Sequence, residues 1–136
     1  MEQYKEYKDS GVKWIGEIPK HWNVTKVSRL YNIQLGKMLQ PTKQNENDIL
    51  CDYICAANVG KFKLKLDMLK QMWFSKSDLS IYEIKKGDLL VVEGGDIASC
   101  DIVNIDVDNL YIQNAIHRVR SKSFCLVKFL RYFMAL

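Results

Sequence analysis

The run Leu89-Leu90-Val91-Val92-Glu93-Gly94-Gly95-Asp96 constrains the fold of this chain more than any other stretch. Four consecutive Leu and Val residues read as a buried strand, and Lys85-Lys86-Gly87-Asp88 is the turn that leads into it. Gly94 and Gly95 then allow a sharp turn or a close approach to a ligand, because neither carries a Cβ. Glu93 and Asp96 flank that turn, where side chains reach outward.

A strand of this kind needs a core around it. The 136 residues are 48% hydrophobic and 11% aromatic, which favours one domain over 1–136 with a substantial core and excludes a disordered tail. The formal net charge of +4 permits a polyanionic partner without requiring one. No charged-then-apolar leader opens the chain, and no run approaches the roughly 20 apolar residues that span a bilayer, so a cytoplasmic location is expected. In that reducing setting Cys51, Cys55, Cys100 and Cys125 are expected as buried thiols. Cys51 and Cys55 lack the second knuckle that a zinc site needs.

Residues 1–22 read as an arm with turns at Asp9-Ser10-Gly11 and Ile18-Pro19; Trp14, Ile15, Ile18 and Trp22 are spaced too irregularly for a helix or strand and are expected to dock on the body. Residues 23–35 suit a short helix entering a strand. Residues 36–48 form a polar loop long enough to suggest function. A strand is expected over 50–59. Lys61-Phe62-Lys63-Leu64-Lys65-Leu66 alternates strictly, as a half-buried strand does, with lysines that either guard a sheet edge or meet phosphate. Residues 67–78 suggest a helical turn and a strand, and 78–83 a short helix capped by Ser77 or Asp78. Residues 100–107 alternate loosely, Asp108-Asn109 suggests a hairpin turn, and 111–119 is the return strand. Residues 124–136 begin a C-terminal helix that is apolar nearly all round, so it needs burial on more than one side.

Catalytic patterns are sparse. No glycine-rich phosphate loop is found, and neither His21 nor His117 neighbours a nucleophile motif; His117 reads as a structural residue on a strand. A metal-dependent nuclease could draw on Asp88, Glu93, Asp96 and Asp101, since metal-assisted hydrolysis needs clustered carboxylates. No lysine follows Glu93 at the expected spacing.

With these residues in view, the chain resembles the target-recognition domain of the specificity subunit of Type I restriction–modification systems over nearly its whole length. Residues 8–22, Lys-Asp-Ser-Gly-Val-Lys-Trp-Ile-Gly-Glu-Ile-Pro-Lys-His-Trp, are similar to the family's N-terminal arm. Tyr53-Ile54-Cys55-Ala56-Ala57-Asn58-Val59 resembles the segment ending in its Asn-Val pair. Residues 82–96 resemble its Gly-Asp-strand-Glu-Gly-Gly pattern, and Gln113-Asn114-Ala115-Ile116-His117-Arg118-Val119-Arg120 its late strand. Ala98-Ser99 stands where the family usually has Gly-Arg.

The resemblance implies an α+β fold, a curved and mostly antiparallel sheet with short flanking helices. It implies a non-catalytic subunit that reads duplex DNA and directs adenine methylation and restriction. The partners implied are the modification (methyltransferase) and restriction subunits, which would carry S-adenosylmethionine, ATP and Mg, with no cofactor on this chain. A second recognition domain and long helices normally follow, so a fragment, a truncated product or a half-subunit is expected. A remnant that dimerises through its C-terminal helix is the alternative. By residue type and loop position, Lys37, Lys43, Lys61 and Lys63 are expected at phosphates, and Gln44, Asn45, Glu93 and Asp96 near bases.

Overall fold

The computed structural model describes residues 4–94, 99–122 and 127–134. The arm is a β-hairpin rather than an irregular strap. β1 (Tyr7–Asp9) pairs antiparallel with β2 (Glu17–Pro19). Its turn is closed by Ser10 N–H donating to Gly16 O and Gly11 N–H to the Asp9 carboxylate, both at 2.9 Å. Ile18 is buried, while Trp14 stays largely exposed with its ring 6.3 Å from that of Phe133. The aromatic spacing hid the hairpin because only the short strand-pairing segments, not the Trp positions, carry its register.

A four-residue helix, α1 (Val27–Leu30), runs into β3 (Tyr31–Leu35), as the spacing predicts. β4 (Ile49–Ile54) follows the polar loop, and then a single 3-10 turn (Ala56–Asn58). Asn58 is buried there as a tie. Its Oδ1 accepts the Cys55 N–H at 3.0 Å, and its Nδ2 donates to Lys65 O at 3.2 Å. The expected single strand over 61–66 is instead a tight hairpin of β5 (Val59–Gly60) and β6 (Lys63–Leu64). Lys61 and Phe62 form its turn, with Phe62 at φ 56°. The alternation survives only from Lys63 to Leu66.

β7 (Lys70–Phe74) pairs with β4, after a bend at Asp67-Met68 rather than a helical turn. α2 (Lys76–Tyr82) starts earlier than expected. Ser75 is its N-cap, and Asp78 closes the capping box by accepting the Ser75 N–H at 2.8 Å. β8 (Leu89–Val92) and β9 (Cys100–Ile102) are antiparallel neighbours. The expected return strand divides in two. β10 (Leu110–Ile112) and β11 (Ile116–Ser121) are separated by a turn in which Ala115 takes φ 83°. Asp108-Asn109 therefore joins strands of different sheets, not a hairpin. α3 (Val127–Met134) is the last element.

The expected single curved sheet resolves into separate pieces: a four-stranded antiparallel sheet β3-β11-β8-β9, a three-stranded sheet β10-β4-β7 in which β10 runs parallel to β4, and the two hairpins. The class remains α+β, mostly antiparallel, with three short helices. Alternation along β8 explains the layering. Leu90 joins Ile54, Ile112 and Ile116 in the core between the two larger sheets. Leu89 faces the other way and packs with Tyr31, Cys100, Val119 and Leu130 of α3. Met72, Phe74, Tyr53 and Tyr111 pack with Leu79 of α2. α3 buries Leu130 but leaves Phe129, Tyr132 and Phe133 exposed, so the expected all-round burial is not met by the described residues. Of the cysteines, Cys51 and Cys100 are buried and Cys55 half-buried, all free thiols; Cys125 lies outside the described residues. Among the described residues no helix is long and apolar enough to cross a membrane.

Candidate nucleic-acid interface

Leu35, His117, Val91 and Cys100 stand opposite one another in one row across β3, β11, β8 and β9. Immediately past this row lie Gly36-Lys37, the 113–115 turn, and Glu93-Gly94. One end of the sheet thus gathers segments far apart in sequence. Backbone bonds lock them. Gly36 N–H donates to Ile116 O at 2.9 Å, Lys37 N–H to Ile112 O at 3.0 Å, Asn114 N–H to Lys37 O at 2.7 Å, and Glu93 N–H to Ala115 O at 2.7 Å. Gly36 is required here, since a Cβ would sit 2.3 Å from the Gln113 carbonyl oxygen. Gly94, just after β8, takes φ 81°, a conformation that glycine adopts without strain.

Side chains follow from this frame. The Glu93 carboxylate, mostly exposed, lies 3.3 Å from His117 Nε2. Gln113 donates its amide to Asn114 Oδ1 beside them. Lys37 is not presented to solvent. Its ammonium pairs with the Asp78 carboxylate at 2.9 Å, and both side chains are largely covered. Burial works to raise the Asp78 pKa, but hydrogen bonds from Lys37 and Ser75 outweigh it and hold the carboxyl below its ordinary value.

Past Lys37 the chain enters the polar loop. Gln40 O accepts the Trp73 N–H at 3.0 Å, which ties the loop to β7. Lys43 places its ammonium 5.4 Å from the centre of the Trp73 ring. Gln44 and Asn45 act through their backbones, each donating an N–H to Asp48 Oδ2 at 3.1 Å. Both residues are exposed, and the Asn45 side chain also bonds the Asp48 carboxylate.

Lys61 and Lys63 sit on the β5–β6 hairpin, outward and exposed. The hairpin lies against β9, with Phe62 N–H donating to Cys100 O at 3.0 Å. Arg131 of α3 fastens it. The guanidinium lies 4.7 Å from the Phe62 ring centre and 4.8 Å from that of Tyr132, and donates to the Asp101 carboxylate at 2.8 Å. A shallow cavity of about 340 Å³ opens between this hairpin and residues 101–105. The hairpin flanks the same end of the sheet from the β9 side.

Of the sequence-predicted residues, the structure therefore gathers Lys37 and Glu93 at the sheet end, with Lys61 and Lys63 beside it and Lys43, Gln44 and Asn45 on the loop leaving it. Asp96 lies outside the described residues. Sequence reasoning missed the pairing of Asp78 with Lys37 and of Trp73 with Lys43, whose partners are distant in the chain, and the local closure of the loop by Asp48 on Gln40, Gln44 and Asn45; His117, expected as a structural residue, lies against Glu93. Of the carboxylates in the nuclease expectation, the described ones, Asp88, Glu93 and Asp101, do not converge. Asp88 precedes β8 and Glu93 follows it, about 16 Å apart along an extended strand. Asp88 is bound by Arg120, and Asp101 by Arg131. Among the described residues no group of three or more His, Cys, Asp or Glu is placed to hold a metal ion.

The arrangement offers acceptors at Glu93, amide donors and acceptors at residues 113 and 114, an imidazole, and exposed lysines at its margins. Base edges are read by such polar tips on a rigid support, and phosphates by the cations. No protein-family model matches this chain, and no curated protein matches it.

Proposed function

We propose that this chain reads duplex DNA by sequence, as all or part of the specificity subunit of a Type I restriction–modification complex, and directs adenine methylation and restriction by partner subunits. In this reading it catalyses nothing itself. S-adenosylmethionine, ATP and Mg act on the modification and restriction subunits. One observation carries the proposal. Segments that bear the sequence resemblance, the Glu93-Gly94 turn and the Gln113–His117 stretch, meet the start of the polar loop at one end of one sheet.

Selection of bound duplexes from a random pool tests it, followed by titration of the recovered duplex at several salt concentrations. One consensus is expected. Each changed base pair should cost about 1–3 kcal/mol, and affinity should fall steeply with salt. A pool that returns no consensus overturns the proposal.

A second reading has one observation in its favour. α3 turns Phe129, Tyr132 and Phe133 outward beside an apolar groove of about 320 Å³ that also contains Ile15, Trp22 and Val27. This suits a protein-interaction module that dimerises through α3. A concentration-dependent dimer without any DNA consensus would support it in sedimentation experiments, and a monomer throughout would remove it.

A further inference from the structure

Residues 41–47 are exposed, yet Asp48 at the end of the loop is buried, at 6% exposure. One of its carboxylate oxygens accepts three N–H groups: the Gln40 side-chain amide at 2.9 Å and the backbones of Gln44 and Asn45 at 3.1 Å. Its own N–H donates back to Asn45 O at 3.1 Å. Gln40, itself buried, is bonded in turn to the Trp73 backbone. A single oxygen thus draws both ends of the loop together and fixes them to β7.

Neutral amides hold this carboxylate, and among the described residues no lysine or arginine pairs with it. Lys43, one residue before the first bonded backbone, is left on the face of Trp73. A cation resting on a ring face exchanges readily for a stronger anionic partner. The loop is therefore folded in advance while its cation stays available. A binding segment ordered beforehand avoids the entropy of ordering on contact.

We infer that Asp48 is a positioning residue for the DNA contact, acting through Lys43 and the Gln44-Asn45 tip, an inference that rests on the DNA reading above. The net lowering of its pKa agrees. Burial works to raise it, but the bonds from Gln44, Asn45 and Gln40 outweigh that.

The test uses the full chain, the duplex recovered by selection and a random duplex, with variants D48A, D48N and K43M. D48A is expected to weaken binding to the selected duplex about tenfold, the ordering cost of a few loop residues. It should flatten the salt dependence by about one phosphate contact and flatten it no further in a K43M background. Amide exchange at Gln44 and Asn45 should quicken in free D48A. D48N keeps an acceptor oxygen and should fall between. D48A binding like the wild type, or a slope loss that adds in full to that of K43M, overturns the inference alone. If D48A does not melt cooperatively, D48N decides: a variant identical to wild type in exchange and salt slope overturns it. A wild type that recovers no duplex overturns the DNA reading and this inference together.

Discussion

Asp88 shows how one residue serves the frame rather than the interface. It is 1% exposed, accepts both Arg120 Nε and Nη2 at 2.7 Å, and accepts the Lys85 N–H at 2.7 Å. The guanidinium beside it is held charged by that bond, its pKa pushed up. Arg118, two residues earlier on the same face of β11, donates to Ile81 O and Glu83 O at the end of α2. R120M is expected to cost about 3 kcal/mol in urea unfolding, because it leaves a buried carboxylate without its cation. The cost should lie at the low end for such pairs, since Arg120 keeps 34% of its side chain in solvent. Replacing both partners, as D88L with R120M, should recover part of that loss. Asp78 yields a pH prediction. Its folded pKa lies below the ordinary 3.8, so its bonds stabilise the protein above that value, and the contribution is lost as pH falls through the lower folded value. Acid unfolding of D78N should therefore show a shallower decline below about pH 4 than wild type, and should begin from a lower stability at neutral pH. The acidic residues were visible in the sequence, but their partners were not. Asp88 and Arg120 are 32 positions apart, and nothing in local pattern chooses that pairing over another.

Elements were legible where their signal was local. Helix α2 was expected over 78–83 with Ser77 or Asp78 as its cap, and it begins earlier in the structure, capped by Ser75 with Asp78 closing the box. The apolar run that became β8 and the helix entering β3 were also local signals. The 111–119 stretch was not. Its apolar residues suit one strand, but Gln113-Asn114-Ala115 breaks it and sends Ile112 and Ile116 to different sheets. That break is held by Gly36 fitting against the Gln113 carbonyl. G36A is expected to destabilise the protein by about 2–3 kcal/mol in thermal or urea melts, because the crowded atom is backbone and cannot rotate aside. Its effect on DNA binding should exceed that of an equally destabilising change in the three-stranded sheet. The 61–66 stretch failed for a related reason. A period of two persists through a tight turn when the turn residues happen to continue the polar and apolar alternation, as Lys61 and Phe62 do.

At the scale of the whole molecule, a shared core joins the two sheets, α3 packs on the far face of the larger one, and the candidate interface lies at one end of that sheet. Lys61 and Lys63 stand exposed on the flanking hairpin, where the proposed reading gives them phosphate contacts. K61Q and K63Q are each expected to weaken binding similarly for selected and random duplexes and to reduce the salt slope by about one, whereas changes at Glu93 or Asn114 should alter which duplex is preferred. A shift in consensus caused by K63Q would reverse those roles. By itself the sequence determined the coarse class of the fold, the buried strand before Glu93-Gly94 and the presence of a short helix after β7, because periodicity and side-chain chemistry act within a few positions. Tertiary structure alone decided which sheet each strand joined, that Lys37 is spent on Asp78, and that Lys43 rests on Trp73. Those outcomes depend on long-range pairing, where each contact is made only after the chain has paid the entropy of bringing distant residues together.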